Sequence, residues 1–219
     1  MTDAVRALLA ETPALQRASR LAPTRLPVLP AFEDVLPFGG LRPGTTIGIT
    51  GVGATSLALA LIARASRELW TAAVGVPALG LRAAAEIGVS LDRMTVVPDP
   101  GEHSTAVVAA LVDAFDVVVG RPVDNRDARR ISGRVRERDA LLVVIGRWPE
   151  CDVSLHGSSA TWHGIGRGYG SLRSRRLDVT VGGRGAASRP IHASLWLPDA
   201  EGEVSPARDN VVSFKEGTV

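Results

Sequence analysis

The residues with the clearest chemical potential lie in the stretch Thr45–Ala63, TTIGITGVGATSLALALIA. β-Branched residues through Thr50 predict a strand, Gly51-Val52-Gly53 a turn, and the apolar run opened by Ala54, Thr55 and Ser56 a helix. Strand, glycine turn and helix in that order frame a P-loop, where backbone N–H groups at a helix N-terminus cradle phosphates. Gly48 to Thr55 fits the spacing G-x-x-x-x-G-K-[ST], except that Ala54 stands where the lysine must be. Gly51, Gly53, Ala54, Thr55 and Ser56 therefore form a degenerate nucleotide loop, with the shape of a cradle and without its charge.

That lysine reaches the β- and γ-phosphates and offsets charge during phosphoryl transfer. Lys215, near the C-terminus, is the only lysine in the chain and is remote in sequence. An arginine reaching in would bring a planar fork, not an equivalent point charge. If the strand runs to Thr50, Gly51 is the first loop glycine and the loop is too short to wrap a triphosphate. Either register argues against efficient ATP hydrolysis. The plainer reading is that the two glycines only make a tight strand-to-helix turn.

The elements around this turn must come from a chain of 219 residues, enough for one α/β domain with short terminal extensions. Hydrophobic content of 45% and a mean hydropathy of +0.14 suit a globular protein. No apolar run reaches membrane-spanning length, and Asp3 and Glu11 are foreign to a secretory signal. A single cysteine, Cys151, excludes an internal disulfide framework and fits a reducing cytoplasm. The net charge is only +2, so local arginine patches matter more than the total.

Val5–Ser19 carries apolar residues at helical spacing, with Leu8 and Leu15 near one face and Leu9 beside it. Pro23, Pro27 and Pro30 then enforce an extended connector that includes Leu26 and Val28. Such an arm packs on its own domain or docks on a neighbouring subunit. Downstream, strands are predicted at Thr71–Val76, Met94–Val97, Phe115–Val119 and Leu141–Ile145, alternating with helices. Continuous apolar strands alternating with helices predict a mainly parallel sheet covered on both faces. From Arg147 the chain turns rich in glycine, serine, aromatics and arginine; RLDVTV and SLWLP then read as an antiparallel hairpin. Residues 199–219 read as a mobile tail in which Val211, Val212 and Phe214 form a small apolar motif.

The order of these elements resembles the RecA ATPase core. VLPAFEDVLPFGGLRPGTTIGITG is similar to its opening, AEIGVSLDRMTVVPDPGEHSTAVVAALVDAFDVVV to its middle, and RLDVTV with LWLP to its closing hairpin. The likeness divides the chain into an arm and linker (residues 1–28), a RecA-like core (29–198) and a tail (199–219). It implies an α/β fold with a mainly parallel sheet and a C-terminal antiparallel hairpin. Against that pattern the Walker lysine is Ala54, the Walker B acid is Gly120, and the catalytic glutamate falls near Val76 or Pro77. Among RecA relatives, these losses and the WP…WHGIGRGYGSLRSRR…LWLP segment most resemble the actinobacterial ImuA-prime proteins. That resemblance implies a cytoplasmic, non-catalytic accessory subunit without a cofactor, acting in SOS-induced mutagenic translesion synthesis. Its implied partner is ImuB, a Y-family polymerase homologue, with an error-prone DnaE-type polymerase and the sliding clamp reached indirectly. The alternatives are a divergent DNA-binding ATPase and a regulator of RecA filaments. Self-association is a further expectation of RecA relatives. The partner contacts are expected at Leu8, Leu9, Leu15, Leu26, Val28, Val211, Val212 and Phe214.

Two arginine clusters remain. Arg126, Arg129, Arg130 and Arg134 lie on one helix, where they bind phosphates or an acidic partner, or simply make a solvated face. Arg167, Arg173, Arg175 and Arg176, interleaved with Trp162, His163 and Tyr169, fit either a single-stranded DNA stacking platform or a protein-binding loop. His103, His156, His163 and His192 lack metal-ligand spacing, so no metal site is expected. The acids around Cys151 should raise its thiol pKa, opposite to a reactive cysteine.

Overall fold

The computed structural model describes residues 24–149, 151–165 and 170–207. Its strands are β1 (Thr45–Gly51), β2 (Thr71–Val74), β3 (Met94–Val97), β4 (Val117–Gly120), β5 (Leu141–Ile145), β6 (Val153–Ile165), β7 (Gly170–Gly183), β8 (Ile191–Trp196) and β9 (Ser205–Pro206). They form one sheet in the order β3-β2-β4-β5-β1-β6-β7-β8-β9. Pairing is parallel from β3 through β6 and antiparallel from β6 to β9. The helices are α1 (Pro30–Glu33), α2 (Ala54–Ala63), α3 (Leu81–Ile87), α4 (Ser104–Ala114) and α5 (Asn125–Glu137). Among the described residues no helix is long and apolar enough to cross a membrane.

Side-chain alternation explains why the parallel strands are apolar throughout. Along β5, Leu141 and Val143 enter a cluster with α2, while Leu142 and Val144 enter another with α4 and α5. Both faces are covered, so no polar face survives. Helix α2 is correspondingly apolar, burying every residue from Leu57 to Ala63. Helix α5 buries only Ala128, Ile131, Ser132 and Val135 and leaves its basic side to water. Ser132 is tolerated there because its hydroxyl accepts a hydrogen bond from Trp148 Nε1 at 2.9 Å. Helix α3 ends where Gly88 turns left-handed at φ 102.

The expected parallel sheet is present, with β3 and β5 at the predicted limits. The terminal boundaries move. Leu26 and Val28 are 3% and 5% exposed, members of the chain's own core, and Leu26 bridges to Leu41. Burying such a side chain stabilises by roughly 1.5–3 kcal/mol, which holds the connector against its own domain. Their assignment to a partner interface is therefore corrected. At the other end, Asp199 accepts bonds from the Glu203 N–H at 2.8 Å and the Ser205 hydroxyl at 2.7 Å. That turn returns the chain to pair as β9, so residues 199–207 belong to the sheet and not to a mobile tail.

Strand β6 was hidden in the segment read as a change of character. It lies parallel to β1, in register from Ile47↔Val153 to Gly51↔Gly157. With β7 it forms a long ribbon interrupted by irregularities at Gly157/Ser159 and His163/Ile165. The expected β7–β8 hairpin is present, pairing Arg176↔Trp196 through Val181↔Ile191.

At the end of β1 the two backbones approach unusually closely. A Cβ at Gly51 would sit 2.0 Å from the Gly157 carbonyl oxygen, and one at Gly157 would sit 2.0 Å from that of Val52. Gly51 also has φ +82, a conformation that L side chains rarely adopt. Gly51→Ala or Gly157→Ala should each lower stability by about 2–4 kcal/mol in chemical denaturation. Gly133→Ala, inside α5 with nothing near its Cβ position, should instead stabilise by about 0.5–1 kcal/mol. Equal midpoints for all three variants would contradict the close approach.

Candidate functional site: the closed glycine turn and its ribbon

The glycine turn adopts the shorter of the two registers. Strand β1 runs through Gly51, leaving only Val52 and Gly53 before α2 begins at Ala54. Gly53 is left-handed at φ 72, and its carbonyl accepts the Leu57 N–H at 2.9 Å to start the helix. A phosphate cradle needs loop N–H groups aimed at the ligand. Here the Val52 N–H donates to the Gly157 carbonyl at 2.9 Å, inside the protein. Ala54 packs against the core cluster, and Thr55 and Ser56 are half-buried behind it.

An arginine does come to the turn, from β7. The Arg175 guanidinium carbon lies 3.8 Å from where a Gly53 Cβ would be, beside Leu177. Arg175 Nε donates to the Leu197 carbonyl at 2.8 Å, and the guanidinium lies 5.2 Å from the Trp162 ring centroid. Burial lowers its pKa. Among the described residues no carboxylate forms an ion pair with it.

Other positions of the RecA pattern are also filled by packing. Gly120 ends β4 between Val74 and Val144. A Cβ there would lie 3.0 Å from Val74 Cγ1, so an acidic side chain would require the valine to yield. Val76 is 6% exposed. Along the same sheet edge, Pro100 covers Gly75, and Pro122 lies 2.5 Å from a Cβ position at Gly146. In parallel sheets this edge is where ligands commonly enter. A cavity of about 430 Å³ remains beside Gly48 and Thr50, walled by Asn125, Trp148 and Cys151. Burial pushes the Cys151 thiol up, with Asp152 adding to it, so it is not a poised thiolate.

The arginines of α5 divide by role. Arg134 makes a two-pronged pair with Asp113 on α4, through Nε at 2.6 Å and through its terminal Nη2. Arg138 joins the same carboxylate at 3.1 Å. Arg134 thus ties two helices together while 41% of its side chain stays exposed. Arg126, Arg129 and Arg130 are exposed on the solvent side of α5. On the ribbon, Arg176 is engaged by Asp178 at 3.8 Å and Ser194 at 3.3 Å, whereas Arg173 is exposed. Arg167 and Tyr169 lie outside the described residues, as do Leu8, Leu9, Leu15, Val211, Val212 and Phe214.

The structure adds Val52, which spacing did not point to, and places Trp162 of the expected cluster against Arg175. Val52, next to the Gly53 that Arg175 approaches, is 48% exposed, and Trp162, whose ring lies beside the Arg175 guanidinium, is 46% exposed. Only the β6–β7 pairing, Trp162 opposite Arg175, brings them together.

The model of the MT3502 N-terminal domain matches residues 34–150, more than half of the chain. The chain belongs to this family. A 123-residue stretch is 42% identical to Uncharacterized protein Rv3395c of Mycobacterium tuberculosis, covering 52% of this chain and 59% of that protein. The match thus spans less than two thirds of its relative. Among solved structures, the one titled "Crystal structure of the RadB recombinase" superposes with a TM-score of 0.58 over 81% of this chain and 97% of that one. At 13% identity the likeness shows the RecA-like fold and nothing finer. The family match ends between β5 and β6, so the β6–β7 ribbon lies outside it.

The Asp113 cluster makes a pH-dependent prediction. Hydrogen bonding from Arg134 lowers the Asp113 pKa below its ordinary 3.8, against the opposing effect of burial. A depressed carboxylate contributes stability that is complete above its unfolded pKa and fades as pH falls through the folded one. Asp113→Asn should cost about 1 kcal/mol at pH 7. The gap from wild type should close below about pH 4, towards the lowered pKa. Urea midpoints measured from pH 7 to pH 3 check this; a gap that widens in acid would refute it.

Proposed function

We propose that this RecA-like protein is a non-catalytic accessory subunit of SOS-induced mutagenic translesion synthesis, binding an ImuB-type Y-family homologue. The observation that carries the reading is the closed glycine turn. The Val52 N–H is spent on Gly157, the lysine position is an alanine packed against the core, Ala54, and Gly120 stands where the acid would be. A RecA-like frame whose cradle is closed retains its surfaces and is suited to holding another protein. The DnaE-type polymerase and the sliding clamp would be engaged through that scaffold.

The test is co-purification of the full chain with the ImuB-type protein, read by size exclusion with light scattering. A parallel variant should lack residues 1–23 only, because a deletion to residue 30 would strip Leu26 and Val28 from the core. A stable complex supports the adaptor, and its loss in the truncated variant assigns the contact to the arm. ATP turnover should be absent from wild type and from Ala54→Lys, since the lysine alone restores neither the open loop nor the acid. DNA-stimulated turnover by the wild type would overturn the reading and favour the ATPase alternative.

A further inference from the structure

We propose that the strip Val52–Arg175–Trp162 is a protein-docking site for a short partner segment carrying a carboxylate flanked by apolar side chains. The inference rests on the adaptor reading and names the surface that would serve it.

The strip is continuous. Val52 is fixed to β6 through its bond to Gly157, Arg175 lies against Gly53, and Trp162 faces Arg175 across the ribbon. Exposed apolar groups beside a half-buried arginine are the composition of interface hot spots, where tryptophan and arginine are enriched. A half-buried guanidinium that among the described residues has a carbonyl and an aromatic ring but no carboxylate for a partner gains most from an arriving carboxylate. Arg173, two residues away on β7, adds a second exposed positive charge. Charge complementarity therefore selects an acidic occupant.

Apolar character then selects peptide over nucleic acid. Single-stranded nucleic acid stacks its bases on flat rings. On the side that Arg175 and Trp162 share, Trp162 offers a single ring, and the exposed apolar group of the adjoining turn is the aliphatic Val52. One ring with an aliphatic neighbour matches an apolar side chain next to the carboxylate that pairs Arg175, and not a run of stacked bases.

Three probes test this on the full-length chain by fluorescence anisotropy. They are a labelled peptide alternating Asp with Leu, the same peptide with Lys for Asp, and an oligothymidylate. The Asp–Leu peptide should bind, and the Lys–Leu peptide should bind at least about tenfold more weakly. Trp162→Ala and Arg175→Gln should each weaken Asp–Leu binding by about tenfold or more. Trp162 is exposed, so its variant should keep the wild-type unfolding temperature and separates docking from folding. Preference for oligothymidylate, or equal binding of both peptides, overturns the proposal. Co-purification with the ImuB-type protein distinguishes the two readings. Wild type and Trp162→Ala recovered equally in complex would refute the strip and leave the adaptor standing. Failure of the wild type to form any complex would refute the adaptor, while the peptide measurements still decide the strip.

Discussion

The close backbone approach between the end of β1 and β6 is the constraint on which the rest of the site depends. Two strands can come this near only where neither residue has a Cβ, and Gly51 and Gly157 meet that condition. Because they do, the parallel ladder runs on to Gly51↔Gly157, and the Val52 N–H is drawn into it. A phosphate-binding turn must leave such donors facing outward. The same glycine-rich composition that ordinarily opens a cradle here allows it to be zipped shut.

Several other features follow from that closure. With β6 fixed beside β1, the antiparallel ribbon is anchored at its base, and β7 presents Leu177 and Arg175 to the turn. Pro100 and Pro122 pack against the neighbouring strand ends at Gly75 and Gly146. On the turn and ribbon, Val52 and Trp162 are exposed near a guanidinium that no carboxylate pairs among the described residues.

The remaining charge is mostly structural. Asp113 gathers Arg134 and Arg138 to join α4 and α5, and Asp178 gathers Ser159, Ser194 and Arg176 on the ribbon. Arginine density alone does not identify a binding face, because a carboxylate on a neighbouring element removes an arginine from the available set. Helix α5 illustrates the division, with Arg134 committed to α4 and Arg126 and Arg130 directed to water.

The sequence by itself determined the parallel half of the molecule. Continuous apolar strands of four to five residues, broken by helices with buried stripes, admit few arrangements other than a doubly covered sheet. It also determined the degenerate loop, since Ala54 and Gly120 are visible as residues. Only the tertiary structure decided what replaced the lost chemistry. Strand β6 was obscured because glycines, serines and exposed positions dilute its alternation, and its pairing with β1 joins residues about a hundred positions apart. Leu26 and Val28 read equally well as linker or core until the sheet supplied a surface for them. Whether Arg175 was another surface charge or the centre of a site depended on long-range register, which local spacing does not encode.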